Sequence, residues 1–344
     1  MTVTETKKKK QQPRKLIITI VVLAVFTVAG AAVLFADGGL IGGLDEVSAV
    51  TKKTSPLTGQ VYEGEMAGRP LIVSIDNVGD AVPQSWLSKA DLVYEFPVEG
   101  RQTRLQAVYY GEFPEEFGPI RSTRPYFVDL TREYKGVFLA HGWSTQAKEY
   151  LFTGVVPYIN AMNSGLPFYR VDDKEAPHDS YIKWADVKAE IDAQGWWDEK
   201  QKIKPFKFLK GAQVNEGAAA SKISFKYASS QCEFAYDKAA GVYTRTIDGE
   251  KYIDKETGKS IKVNNVLVQK VKSSSLDDYG RLKIDMCAGG DAILFTNGVA
   301  VKGTWSRDDL DSRTVFIDEA GDEFKLSPGK TWVEIADQNC EIGY

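Results

Sequence analysis

Histidine is almost missing from this chain: His141 and His178 are the only two among 344 residues. That leaves little material for a histidine-based metal cluster, so no metal and no cofactor is expected. Cysteine is as scarce, with Cys232, Cys287 and Cys340 all in the last third and no pair at C-x-x-C spacing. A zinc ribbon or thioredoxin-type motif is thereby excluded. Three reduced, mostly buried thiols is the plain reading, with one disulfide and a free thiol as the other. H-E-x-x-H and G-x-S-x-G do not occur. Gly258-Lys259-Ser260 looks like the end of a phosphate-binding loop, but Ile253 stands where its first glycine belongs, so it reads as a turn. Ser180-Tyr181-Ile182-Lys183 has S-x-x-K spacing without an S-D-N or K-T-G partner, and chance explains it better. No internal repeat is present.

Positive charge is short everywhere but at the amino end. Residues 1–36 carry six Lys/Arg and one acidic residue, leaving 37 basic and 46 acidic residues beyond them, a net of −9. An acidic body argues against nucleic-acid binding, which needs a basic face.

Long apolar runs are lacking too, with one exception. Leu16–Phe35 is 20 residues without a charge, preceded by Lys7–Lys10, Arg14 and Lys15. Twenty residues at 1.5 Å each span about 30 Å, the thickness of a hydrocarbon core. The basic flank keeps the amino end inside, so the body faces outward. Residues 1–15 are thus read as a cytoplasmic basic segment and 16–36 as a single-pass anchor in the cell membrane. The competing reading is a cleaved signal peptide with Ala29-Gly30-Ala31 as its cleavage site. Both export the body. Residues 37–54 are glycine-rich and then polar, and read as a flexible tether.

What remains is globular in composition, 43% hydrophobic and 26% charged. Residues 55–211 form a first domain. Leu71–Ile75, Leu92–Phe96, Leu105–Tyr109 and Val137–Ala140 read as strands, short apolar runs rich in β-branched and aromatic residues. Alternation puts Leu105, Ala107 and Tyr109 on one face and Arg104, Gln106 and Val108 on the other. Asp76, Asn77 and Glu95 fall at or near strand ends, with Glu99 just beyond. If those strands run parallel, a ligand would favour the crevice outside their carboxyl ends. In Gly118–Pro125, Ser122 or Thr123 can cap a helix that Pro125 begins. Free N–H groups and the guanidiniums of Arg121 and Arg124 then gather at one helix start, a combination that favours an anion. The alternative is that Arg121 and Arg124 pair with Glu95, Glu99 or Glu115 inside the domain. His141 and His178 each stand in a polar loop, His141 directly after an apolar strand, a common address for functional groups.

Several of these stretches carry a resemblance. Ser55–Gly59, Arg69-Pro70 with Ile75-Asp76-Asn77, Ala90–Glu95, Val98-Glu99-Gly100 with Thr103-Arg104, Gly118–Phe127 and Ala176-Pro177-His178 resemble the YerB-like family. The resemblance covers about residues 55–340 and rests most firmly on GPIRSTRPYF. It implies a bacterial envelope protein, often a lipoprotein, with an amino-terminal domain of unknown function and a distinct carboxy-terminal partner domain. It implies no catalytic residues. The chain departs from the family pattern in four places. No cysteine precedes Cys232, so a transmembrane helix must replace lipidation. Arg101 stands where a second glycine is usual, Trp143 where glycine is expected, and Asp179 where asparagine is expected.

After the small polar stretch Ala212–Ser221, residues 212–344 read as short strands separated by turns, Asn297-Gly298 being the strongest hairpin signal. A small all-β barrel or sandwich is expected. The fold class is therefore an α/β or α+β amino-terminal domain plus a small all-β carboxy-terminal domain, behind one transmembrane helix. The leading functional expectation is an envelope binding protein that takes an anionic ligand, a cell-wall polymer or a partner envelope protein, at Asp76, Asn77, Arg104, Arg121, Ser122 and Arg124. A hydrolase or transferase would instead use Glu95 or Glu99 with His141 or His178. A third reading is a buried charge network that only holds the fold.

Overall fold

The computed structural model describes residues 52–63, 68–197, 201–227 and 230–344. The basic segment 1–15, the apolar span 16–36 and all of the tether 37–54 but its last three residues lie outside them. Among the described residues, no helix is long and apolar enough to cross a membrane. The expected tether ends early: Lys52–Thr54 is already a strand, paired antiparallel with Val61–Glu63 across the Ser55–Gln60 turn.

Eleven strands among the described residues build one mixed sheet. Its principal strands are β1 (Leu71–Asp76), β2 (Leu92–Pro97), β3 (Thr103–Tyr109), β4 (Val137–Ala140) and β5 (Tyr158–Asn160) from the first half of the chain. The second half supplies β6 (Asn265–Lys270), β7 (Gly290–Thr296), β8 (Val299–Ser306) and β9 (Thr331–Ala336). Across the sheet they run β8-β7-β6-β9-β2-β3-β1-β4-β5. β9 lies parallel to both β6 and β2, and β4 lies parallel to both β1 and β5. β3 is antiparallel to β1 and β2, so those two point the same way without touching. The halves of the chain are thus joined by a hydrogen-bonded seam, Leu92–Glu95 against Thr331–Glu334.

β1, β2, β3 and β9 are buried along their whole length because both faces are covered. On one face, Leu71, Val73, Val93, Leu105 and Trp332 pack with Phe225 and Phe234 of a second, six-stranded sheet drawn from residues 222–343, and with Tyr252 just past one of its strands. On the other, Ile72, Leu92, Phe96 and Val108 meet helix α1 (Pro125–Glu133), with Leu151 of α2 (Thr145–Phe152) in the same core. A third helix, α3 (Trp184–Ala193), buries Val187 and Ile191 against the first face. Period-two alternation alone divides these residues, so the expected faces of β3 are those found.

The carboxy-terminal residues are all-β, as their turn spacing implied, but they close neither a barrel nor a sandwich of their own. They supply one whole sheet and then extend the sheet of the first half. The join lies at β9: TWVEIA is buried at every position, pairs with β6 of its own half on one edge and leaves its other edge to β2 of the first half.

Candidate functional site

β1 and β4 pair only from Leu71 to Val73. Beyond that they separate, and residues 119–123 enter the gap. Asp76 N–H donates to Pro119 O at 2.9 Å and Arg121 N–H to Ser74 O at 2.9 Å. On the far side His141 N–H donates to Arg121 O at 3.1 Å and Thr123 N–H to Gly142 O at 3.1 Å. The wedge therefore sits between the carboxyl ends of two co-directional strands, where open α/β sheets place their ligands. It positions Arg121 and Ser122 by backbone hydrogen bonds on both edges.

Asp76 ends β1 on the helix-side face and is 1% exposed. Its Oδ2 lies 2.9 Å from Arg121 Nε and 2.8 Å from His178 Nδ1. Directly across the ladder, buried Arg104 donates through Nη1 to Ser122 O at 2.9 Å and to Ser122 Oγ at 3.3 Å. Burial pushes the Arg104 guanidinium down to about 10, with the Asp76 carboxylate opposing and Arg121 adding to the fall. It remains charged at neutral pH, and its Nε has no hydrogen-bond partner. Arg124, at the N-cap of α1, donates to Ser122 Oγ at 3.1 Å and grips Glu99 through two nitrogens, Nε at 3.0 Å and Nη2. Five expected residues thus meet at one place: Asp76, Arg104, Arg121, Ser122 and Arg124. Glu99 and His178 join them. Three guanidiniums against two carboxylates leave a surplus positive charge before His178 is counted. Arg121 and His178 keep 27% and 16% of their side chains open to solvent.

His141 stands apart. Its Nδ1 lies 2.5 Å from the Oγ of buried Ser180, and only its backbone touches the wedge. Burial, then Arg170, then Arg121 hold its imidazole below the ordinary pKa, while Asp179 opposes. Its imidazole contacts Ser180, whereas that of His178 contacts Asp76.

Glu95 and Asn77 also leave the expected site. Alternation turns Glu95 to the opposite face of the sheet from Asp76, into the seam between the two sheets. There its Oε2 accepts from Arg245 Nη2 at 2.9 Å and from Trp332 Nε1 at 3.2 Å. Its Oε1 accepts from Asn77 Nδ2 at 2.9 Å and Thr103 Oγ1 at 2.7 Å. Asn77 spends its remaining oxygen on Tyr252 Oη at 2.6 Å and Gln84 Nε2 at 3.2 Å. All are buried, but Asn77 and Thr103 also line a cleft of about 520 Å³ on this side of the sheet, so only Glu95 is closed off from solvent. Sequence reading offered Glu95 and Glu99 for one site, at and just beyond a strand end; Glu95 points off β2 to the opposite face, while Glu99 follows the strand and reaches Arg124.

Arg245 was not foreseen. It is wholly buried, its guanidinium 4.0 Å from the Tyr252 ring centroid and 4.6 Å from that of Trp332. Burial pulls its pKa down, but Glu95 together with Cys232, Tyr252 and Glu334 outweighs that and holds it above the ordinary value. Glu334, also buried, shares the Trp332 Nε1 donor at 3.2 Å and accepts from Tyr227. Burial and the Glu95 charge raise its carboxyl well above the ordinary range, which favours its neutral form. Glu95, Glu334 and Cys232 bring oxygens and sulfur within 4.8 Å of one another, the spacing of a metal ligand set. Here a cation is already supplied, since Arg245 pairs with Glu95, while burial raises both the Glu334 carboxyl and the Cys232 thiol. The signal was legible in principle: Arg245 shares a strand face with Tyr243, and Glu334 with Trp332, charges on otherwise inward positions.

This chain belongs to the DUF3048 family. Residues 57–197 match "Protein of unknown function (DUF3048) N-terminal domain", and residues 222–333 match the corresponding C-terminal domain. "Putative lipoprotein YerB" of Bacillus subtilis (strain 168) is 35% identical over 301 residues, which cover 85% of this chain and 88% of that protein. The crystal structure of YerB protein from Bacillus subtilis is similar with a TM-score of 0.75 and 33% identity, covering 85% of this chain and all of that one. The motif resemblance is borne out.

Proposed function

We propose that this chain is an extracytoplasmic binding protein of the bacterial envelope, held to the membrane through residues 16–36. It takes an anionic group of a wall polymer or of a partner envelope protein at the β1–β4 crevice. The observation that carries this reading is the surplus guanidinium charge of Arg104, Arg121 and Arg124, gathered at the carboxyl ends of co-directional strands on an otherwise acidic body. The lipoprotein relative supports an envelope location. The apolar span 16–36 would do for this chain what a lipid does for a lipoprotein.

A second reading, a hydrolase or transferase, rests on the Asp76–His178 pair. A buried carboxylate 2.8 Å from Nδ1 fixes the imidazole and leaves its other nitrogen for proton transfer.

One experiment separates the two. Full-length protein in detergent is incubated with purified sacculi, retained protein is read by sedimentation, and released fragments by mass spectrometry. Binding predicts retention without fragments, lost in Arg121→Ala and kept in His178→Ala. Fragments that vanish in His178→Ala would establish the enzyme instead. Asp76 is buried but keeps His178 and the nearby Arg104 when Arg121 is removed, and a thermal melt of Arg121→Ala run alongside shows whether a loss of retention reports the site or the fold.

A further inference from the structure

We infer that the anion crevice is the centre of an extended binding edge, and that its ligand is an anionic glycan, a chain of sugar rings bearing carboxylate or phosphate groups. This rests on the anion-binding reading above and names its ligand class.

The edge is formed by seven neighbouring segments: the carboxyl ends of β9, β2, β1, β4 and β5, the start of β3, and the 119–123 wedge. Six spacings of about 4.8 Å make it about 29 Å long, too long for a single small anion and right for several linked rings. Aromatic residues stand beyond both flanks, half-buried Trp143 with exposed Phe152 behind it along α2 on one side and exposed Tyr279 on the other. Beyond β4, Trp143 pairs with Thr123 of the wedge, and its ring meets Phe152 at 5.6 Å. Phe152 is 57% exposed, and Lys148 Nζ lies 5.6 Å and 5.4 Å from the Trp143 and Phe152 centroids. Beyond β9, the hairpin of strands Ser273–Ser275 and Leu282–Ile284 is stapled to the strand end by Ser273 Oγ donating to Asp337 Oδ2 at 2.6 Å. Its tip raises Tyr279, 80% exposed, with the Arg281 guanidinium 5.0 Å from the ring centroid.

Between hairpin and crevice lies a cleft of about 200 Å³, lined in part by Gly100, Leu282, Asp337 and Asn339. It adjoins the Arg124–Glu99 pair, and the Arg281 and Asp277 charges of the hairpin act on Arg124. Aromatic faces flanking a polar groove suit sugar rings, which offer an apolar face and a hydroxyl rim. The guanidiniums at the centre suit the acidic substituent.

Isothermal titration of the full-length protein in detergent tests this with three probes: inorganic phosphate, neutral chitohexaose, and a hyaluronan hexasaccharide carrying carboxylates. The hexasaccharide should bind at least tenfold more tightly than either of the others. Tyr279→Ala and Phe152→Ala, both at exposed positions, should each weaken it about tenfold and leave phosphate unchanged. Arg121→Ala should weaken phosphate and hexasaccharide together. Phosphate bound as tightly as the hexasaccharide would overturn the extended ligand and leave the anion site standing. Chitohexaose bound as tightly as hyaluronan, or aromatic variants without effect, would overturn the anionic glycan or its platforms respectively. If neither phosphate nor the hexasaccharide bound, the anion site itself would fall.

Discussion

Arg245→Met should be the most damaging conservative-volume change in this protein. The guanidinium lies 2.9 Å from Glu95 Oε2 between two aromatic rings, with no part of it open to solvent. Methionine fills much of the space but leaves Glu95, 2% exposed, without its counter-charge. Breaking a buried pair from one side costs about 3–5 kcal/mol. Against the about 5–15 kcal/mol that holds a typical domain, that is about a fifth or more of the total. The pair joins the two halves of the chain, so the loss should appear in both at once. Urea unfolding at pH 7, followed by tryptophan fluorescence and by circular dichroism, should give one coincident transition in the wild type. In Arg245→Met that transition should move to lower urea. Glu95→Gln/Arg245→Met should recover much of the loss, because no charge is then stranded. A cost below about 1 kcal/mol, the worth of an exposed pair, would refute the claim that this network is dry and holds the seam.

Glu334 should make stability fall with rising pH. Its folded-state pKa is raised, so the unfolded chain releases the proton first, and above about pH 4.5 this group costs about 1.4 kcal/mol per pH unit until the folded carboxyl titrates. Glu334→Gln should flatten that slope, as melts between pH 5 and 8 will register. His141 has the opposite sign: its folded pKa is lowered, so stability falls as pH drops through the ordinary histidine range, and His141→Gln should remove that loss in acid melts. Gly118→Ala should both destabilise and loosen the site. A Cβ there would come within 2.3 Å of the Tyr181 ring, an overpacking that costs about 1–3 kcal/mol, and the displaced wedge carries Arg121. An unchanged melting temperature with unchanged sacculus retention would contradict it.

Much of the fold was legible because it is local. The strands Leu71–Asp76, Val137–Ala140 and Val242–Ile247 follow from short apolar or alternating runs, and the helix at Pro125 from a proline placed where no N–H is needed. The Asn297-Gly298 hairpin follows from two residues that accept positive φ, 52° and 76° here. Most of the site was legible for a related reason. Asp76, Arg104, Arg121, Ser122, Arg124 and His178 are charged or polar residues set into apolar sequence, and such groups find partners or ligands.

What the sequence by itself determined is therefore the element list, the alternation of each strand, the acidic balance of the body and the identity of the site's side chains. Only the tertiary structure decided which charges meet. Glu95 and Glu99 are four residues apart, yet one reaches Arg245, 150 positions away, and the other Arg124. Asp76 and Asn77 are adjacent and serve opposite faces of the sheet. Strand order decided this, and strand order is a non-local choice: β9 sits beside β2 because burying both faces of two apolar strands outweighs leaving each half to fold alone. No window of sequence contains that comparison, since the two strands it weighs lie some 240 residues apart.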